Sequence, residues 1–326
     1  MSRLTRAAST MHTLSLAAME EASRFGVRDA DVDHLLLALT IDADAGGQVL
    51  RGMGIGLDAA RRAVAEQHAA QLDLVGISSG GPGPDRIVFH ETSGYDWTDR
   101  AIDVLKQANS KGLRGDSAAV LSTLLDEPSG LIHAILRRLD VDPVALRSRL
   151  DDAQRLGPAD GRAPEATAIS GTRTIFIPAA LDDVWALLSS PSRIPEWDQS
   201  IAEIDADETA TRTWAAPTRT TAPDGTPISV KPAFLRQQVR LVRCEHPVAV
   251  GWRFTRPDAT RSNPRRVDFE LEHAAGGTQA RVALAWETSG AGGARRVWRT
   301  LLRPVHRFVV FIQLAQLESA VGRVFR

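Results

Sequence analysis

The chain of 326 residues holds a single cysteine, Cys244. One thiol excludes an internal disulfide and a cysteine-rich zinc site, and it fits a reducing, cytoplasmic setting. Lysine is nearly as scarce, with only Lys106, Lys111 and Lys231. None of them follows a Gly-x-x-x-x-Gly run, so no loop of the kind that cradles nucleotide phosphates is present. No apolar run approaches the roughly 20 residues needed to span a bilayer. No charged segment leads into a long apolar one, which predicts the absence of a signal peptide. The net charge of −1 gives no argument for nucleic acid as a partner. Among the acidic and histidine residues, His90, Glu91, Asp96 and Asp99 cluster, but their spacing matches no metal-binding pattern. They read as solvated loop residues, and no metal or cofactor is expected.

What the chain does have is enough apolar content, 43%, for packed cores. Its length suggests two domains. The charge is unevenly divided, acidic in residues 1–155 and basic in 171–326.

The first half has helical periodicity. Leu14, Ala17, Ala18 and Ala22 recur at three- and four-residue steps and line one helix face. Phe25-Gly26 closes that helix, with Gly26 free to take a positive φ. Asp31 or Asp33 then caps a helix whose apolar residues, Leu35 to Leu39, leave almost no polar face. The pattern returns. Ala101, Val104, Leu105 and Ala108 repeat the first helix face; Leu121, Leu125, Ile135, Leu136, Leu139 and Val141 answer Leu35, Leu39, Val49, Leu50, Met53 and Ile55. The stretch Ser78-Ser79-Gly80-Gly81-Pro82-Gly83-Pro84 between the copies has loop composition.

On these residues, and on Asp33-His34-Leu35-Leu36-Leu37-Ala38-Leu39 above all, residues 7–152 resemble the amino-terminal double repeat of Clp-type unfoldases. The resemblance implies an all-α docking domain for adaptors, substrates and, in some members, arginine-phosphorylated proteins. Asp33 and His34 fall on the family's Glu-His pair, whose carboxylate suits a guanidinium because it accepts two parallel N–H bonds. The plain alternative is a helix cap for Asp33 and a core histidine for His34. In the second copy the pair is Ala119-Val120, which implies a lost site. Without a phosphate loop the Clp-like part has no motor, which leaves binding.

Residues 156–170 lack periodicity and hold two prolines and two glycines, so they read as a linker between domains 1–155 and 171–326. Beyond them the pattern turns to alternation. Strands are expected at 172–177, 201–204, 212–214, 239–243, 248–254, 266–271 and 279–287. Leu181, Val184, Trp185, Leu187 and Leu188 make a short helix, Pro191 to Trp197 a second helical turn, and Gly276-Gly277 a hairpin. The chain is expected to end in a helix over 294–321, packed through Val297, Leu301, Val305, Phe308 and Ile312. Arg295, Arg296, Arg299, Arg303 and Arg307 give it a basic, solvated side.

This order, with Ile175-Phe176-Ile177-Pro178 and Pro195-Glu196-Trp197-Asp198, resembles the polyketide cyclase/START-like (helix-grip) superfamily. There an antiparallel sheet wraps the terminal helix and leaves a cavity for an apolar ligand. The fold class expected is therefore multidomain: an all-α double repeat followed by an α+β helix-grip domain.

The pocket candidates are Trp185, Trp197, Trp252, Phe254, Phe269, Trp286, Phe308 and Ile312, with Trp197 expected at the mouth; aromatic walls with few polar groups suit an apolar ligand. Glu270 and Glu272 share a strand face opposite Phe269 and Leu271, so they are expected in solvent rather than as a catalytic pair. No catalytic residue is assigned. The reading is a cytoplasmic, non-ATPase adaptor, decoy or sensor linked to Clp-dependent proteolysis. Its partners are Clp-system proteins, substrates or Clp-directed peptides, and an apolar small molecule. The alternative is a cyclase- or hydrolase-type enzyme tethered by the Clp-like half.

Overall fold

The computed structural model of the chain describes residues 3–76, 94–110, 115–156, 169–204, 212–222, 225–259, 262–287 and 303–326. They fall into two compact units, Met1–Asp160 and Gly161–Arg326.

The first unit is helical. Helices α1 (Arg3–Arg24), α2 (Val32–Thr40), α3 (Ala45–Gly52) and α4 (Leu57–Leu74) are followed by α5 (Asp99–Ala108), α6 (Ser117–Leu125), α7 (Leu131–Arg138) and α8 (Pro143–Leu156). Two short strands, β1 (Asp29–Ala30) and β2 (Asp96–Trp97), pair in parallel. Gly26 ends the first helical stretch at φ +72°, a conformation that costs glycine nothing. All nine residues of α2 are buried, as its unbroken apolar run requires.

The cap of α2 is Asp31, whose carboxylate accepts from the Val32 N–H at 2.8 Å. Asp33 therefore has a different role from the capping one that its position in the sequence allows. A second polar contact ties α4 to α1: Arg61 donates through Nε (2.8 Å) and Nη2 (2.7 Å) to the buried Glu21 carboxylate. The expected loop at Ser78–Pro84, together with His90 and Glu91, lies outside the described residues; Asp96 and Asp99 are exposed.

The second unit is a six-stranded antiparallel sheet with helices packed against it. In chain order it comprises β3 (Ile169–Ile177), α9 (Leu181–Ser189), a 3-10 turn (Pro191–Arg193), α10 (Ile194–Trp197), β4 (Thr213–Pro217), β5 (Arg236–Glu245), β6 (Ala249–Thr255), β7 (Arg265–Ala274), β8 (Gly277–Trp286) and α11 (Arg303–Val324). The sheet order is β3-β8-β7-β6-β5-β4. Gly276, at φ +77°, makes the tight β7–β8 turn. The expected strand at 201–204 reduces to one bridge between Ile201 and Thr218.

The terminal helix packs by a different face from the one expected. Val310, Leu314, Leu317 and Val321 are buried, whereas Phe308 is 63% exposed and Ile312 is half-buried. Val297 and Leu301 lie outside the described residues, as do Arg295, Arg296 and Arg299. The apolar residues from Phe308 to Ile312 run on every side of the helix, so periodicity alone does not choose a stripe. Packing chooses it: a Cβ added at Gly171 on β3 would stand 2.6 Å from Val310 Cγ1. The missing side chain at Gly171 is what lets α11 lie so close to the strand. Arg173 on β3 and Glu318 on α11 add an ion pair at 2.6 Å. No described helix is long and apolar enough to cross a membrane.

Candidate functional site

The inner face of the sheet is built by alternation. Along β6 the inward row runs through Val250, Trp252 and Phe254; along β7 through Val267, Phe269 and Leu271; along β8 through Ala280, Val282 and Leu284, all buried. Successive inward residues are two apart. Extending each row to one end of the sheet reaches Arg256 after β6, Arg265 at the start of β7 and Trp286 at the end of β8. The row of Val239 on β5 reaches Gln237 in the same way. The strand register brings these ends together, with Arg265 paired to Phe254 on one side and to Trp286 on the other. An apolar interior thus turns polar at one end.

At that end lies a cavity of about 230 Å³. The strand ends form one side of it, Trp197 at the end of α10 with Asp198 and Ser200 just beyond it a second, and Gln313, Gln316 and Leu317 of α11 a third. Trp197 is 1% exposed, so it belongs to the wall and floor and does not stand at the mouth. Its ring meets those of Phe269 (centroids 5.4 Å apart) and Phe254 (6.4 Å) edge to face, a favoured aromatic geometry. Trp286 donates from Nε1 to the Gln313 Oε1 at 3.2 Å, joining the sheet to α11.

Of the eight aromatic and aliphatic pocket candidates, Trp197, Phe254 and Trp286 line the cavity. Trp252 and Phe269 are wholly buried in the core beneath it, and Trp252 donates to the Leu188 carbonyl at 2.8 Å. Trp185 packs edge-on against His246, centroids 5.2 Å apart. Phe308 and Ile312 do not line the cavity, because α11 presents the other face.

The charged lining residues, Asp198, Arg256 and Arg265, were not among the candidates. The signal was there: each arginine falls in phase with buried apolar residues, an unusual place for a cation. Asp198 is 5% exposed. Its Oδ1 accepts from the Ser200 hydroxyl (2.7 Å) and N–H (3.1 Å), and its Oδ2 accepts from Arg265. Arg265 also lies over the Phe254 ring at 4.2 Å. Glu270 and Glu272 are exposed on the outer side of β7, as alternation predicts, and His273, in phase with the inward row, is exposed near the β7–β8 turn.

In the helical unit, Asp33 is 1% exposed. Its Oδ2 stands 2.8 Å from His68 Nε2 on α4, and its Oδ1 accepts from the His34 N–H at 2.8 Å. Burial alone would raise the Asp33 carboxyl; contacts with His34 and His68 outweigh it and hold the group well below the usual carboxylate range. The same hydrogen bond raises His68 against the effect of its own burial. His34 uses Nδ1 to accept from the Asp31 N–H at 3.1 Å, completing a capping box. Asp31 in turn accepts from Thr98 Oγ1 (2.6 Å) and Arg100 Nε (2.7 Å), binding α2 to the second helical set. Asp33 and His34 are thus brought together, but both are buried. No group of metal-ligating side chains occurs among the described residues.

A protein-family profile described as "Polyketide cyclase / dehydrase and lipid transport" matches residues 168–321. Similar solved structures include a protein from Rhodobacter sphaeroides, 16% identical over 50% of this chain and 93% of its own, with a TM-score of 0.34. A polyketide-cyclase-like protein from Corynebacterium glutamicum is 16% identical over 50% and 93%, TM-score 0.30. A START superfamily protein from Mycobacterium smegmatis is 12% identical over 48% and 96%, TM-score 0.31. No curated protein matches the chain. The family match lies in the C-terminal half, and the likeness of residues 7–152 to Clp repeats rests on the sequence. With its antiparallel sheet, terminal helix and family match, the segment 168–321 is a polyketide cyclase/START-like domain.

Proposed function

We propose that this protein binds a small molecule in the C-terminal cavity without turning it over. The observation that carries the reading is the composition of the cavity: Trp197, Phe254, Trp286 and Leu317 provide an apolar wall beside a few convergent polar groups. Such a lining suits a small ligand with an apolar body. At about 230 Å³ the space lies below the range of drug-sized sites, which favours a compact ligand. The lipid-transport part of the family description supports a carrier or sensor.

Catalysis finds less support. The carboxylate in the cavity, Asp198, has both oxygens engaged by Ser200 and Arg265, so it is poorly placed to take a proton from a ligand. Glu270 and Glu272 lie on the other face of β7, and His273 sits at the end of that strand away from the cavity.

The helical unit is read as a docking module in a Clp-linked adaptor, decoy or sensor. Its repeated helix order supports this, because α6, α7 and α8 follow one another at nearly the spacing of α2, α3 and α4. Asp33 is the candidate contact for an arginine-phosphorylated peptide, which must displace His68 to reach it.

Thermal denaturation of the full chain against a panel of small alcohols, acids and aromatic compounds tests the first part. A ligand that binds only the native state raises the midpoint with concentration. A panel that leaves both the midpoint and the tryptophan fluorescence unmoved counts against the cavity as a binding site. For the second part, an arginine-phosphorylated peptide is expected to bind the full chain and not Asp33→Ala; equal binding to both contradicts it.

A further inference from the structure

The charges in the cavity do not balance. Its ionisable lining residues among those described are Asp198, Arg256 and Arg265, and the carboxylate of this set is already committed to Arg265. Arg256 has no counterpart among the described residues. Among the described residues no carboxylate lies within ion-pair distance of it, and its Nε is buried without a hydrogen-bond partner. Its guanidinium lies over the face of Phe234, 5.2 Å from the ring centre. Burial first, and then the neighbouring Arg265, lower its pKa from the ordinary arginine value, with Asp198 opposing them. A half-buried guanidinium with an unpartnered Nε gains most from a group that offers two acceptor oxygens in one plane.

We propose that the cavity selects a small amphipathic organic acid, with its carboxylate on Arg256 and its apolar body against Trp197, Phe254, Trp286 and Leu317. The inference deepens the small-molecule reading and rests on it. A carboxylate is favoured over a phosphate monoester because the described lining leaves a single positive charge over, whereas a phosphate monoester carries about −1.5 to −2 at neutral pH. Asn263 and Gln316, also in the lining, offer amide N–H groups to the same anion.

Calorimetric titration of the full chain with octanoate and with 1-octanol, at about pH 7.5, tests it. The wild type is expected to bind octanoate about tenfold or more tightly than octanol, the difference expected for one charge-assisted hydrogen-bonded pair. Arg256→Gln is expected to remove that preference while leaving octanol binding intact, and Arg256→Lys to keep most of it. Equal affinities for the two probes in the wild type, or a preference that survives Arg256→Gln, overturn the anion inference and leave small-molecule binding standing. Failure of both probes to bind the wild type overturns the inference together with its basis. Should Arg256→Gln not fold, as judged by circular dichroism, the wild-type ratio and Arg256→Lys decide the matter.

Discussion

His68 Nε2 stands 2.8 Å from the Asp33 Oδ2, joining α4 to the buried first turn of α2. The pair gives the helical unit a pH dependence with a definite sign. The folded pKa of His68 is raised above the ordinary histidine value of 6.5, so its contribution is full below about that pH and fades as pH rises through the folded value. The folded pKa of Asp33 is lowered from 3.8, so its contribution is present above that pH and fades as the carboxylate takes up a proton in stronger acid. His68→Ala should therefore lower the melting temperature most near about pH 5 to 6 and progressively less above the folded pKa of His68. Parallel melting curves from about pH 5 to 9 check this; a gap that does not change with pH contradicts it.

Glu21 and Arg61 form a buried pair with two hydrogen bonds. Removing one partner strands the other charge, which typically costs about 3–5 kcal/mol. Glu21→Ala should fall in that range by denaturant unfolding. The double change Glu21→Leu with Arg61→Leu should cost distinctly less, because no buried charge is then left alone.

Gly171 lets α11 approach β3. Gly171→Val would push its side chain against Val310 and Leu314, and overpacking of this kind costs about 1–3 kcal/mol. A loss of stability confined to the cooperative unit of the C-terminal domain, followed by near-ultraviolet circular dichroism, is the expected result.

Most of the strands and the short helices were legible because alternation and helical period are local properties of the sequence; the strand expected at 201–204 is only a bridge. Even the exposure of Glu270 and Glu272 followed from their phase against Phe269 and Leu271. The face of α11 was not legible. Its apolar residues cover more than one stripe, and the choice depends on Gly171, more than a hundred residues away in sequence. Asp33 shows the same limit from another side. Its place in the sequence allows a helix cap, but Asp31 fills that role and His68 from a later helix claims the Asp33 carboxylate. At the cavity, attention to aromatic residues found Trp197, Phe254 and Trp286. The arginines were missed although their phase with Phe254 and Phe269 marked them, because polar residues at inward positions carry the chemistry while apolar ones merely fill the row.

If Asp198 serves to neutralise Arg265, then Asp198→Asn should leave two uncompensated guanidinium groups in the cavity. Asparagine keeps an acceptor for Ser200, so the local turn should survive. Octanoate affinity is expected to rise severalfold while octanol affinity stays the same; a fall in octanoate affinity in a folded variant would contradict this role.

The most direct measurement on the central claim is native mass spectrometry of the freshly purified full chain beside Leu317→Trp, which fills the cavity from α11. The account predicts a small-molecule adduct on the wild type that denaturation releases and that the variant lacks. Equal adducts on both proteins, or none on the wild type even after incubation with a mixed small-molecule extract, would contradict it.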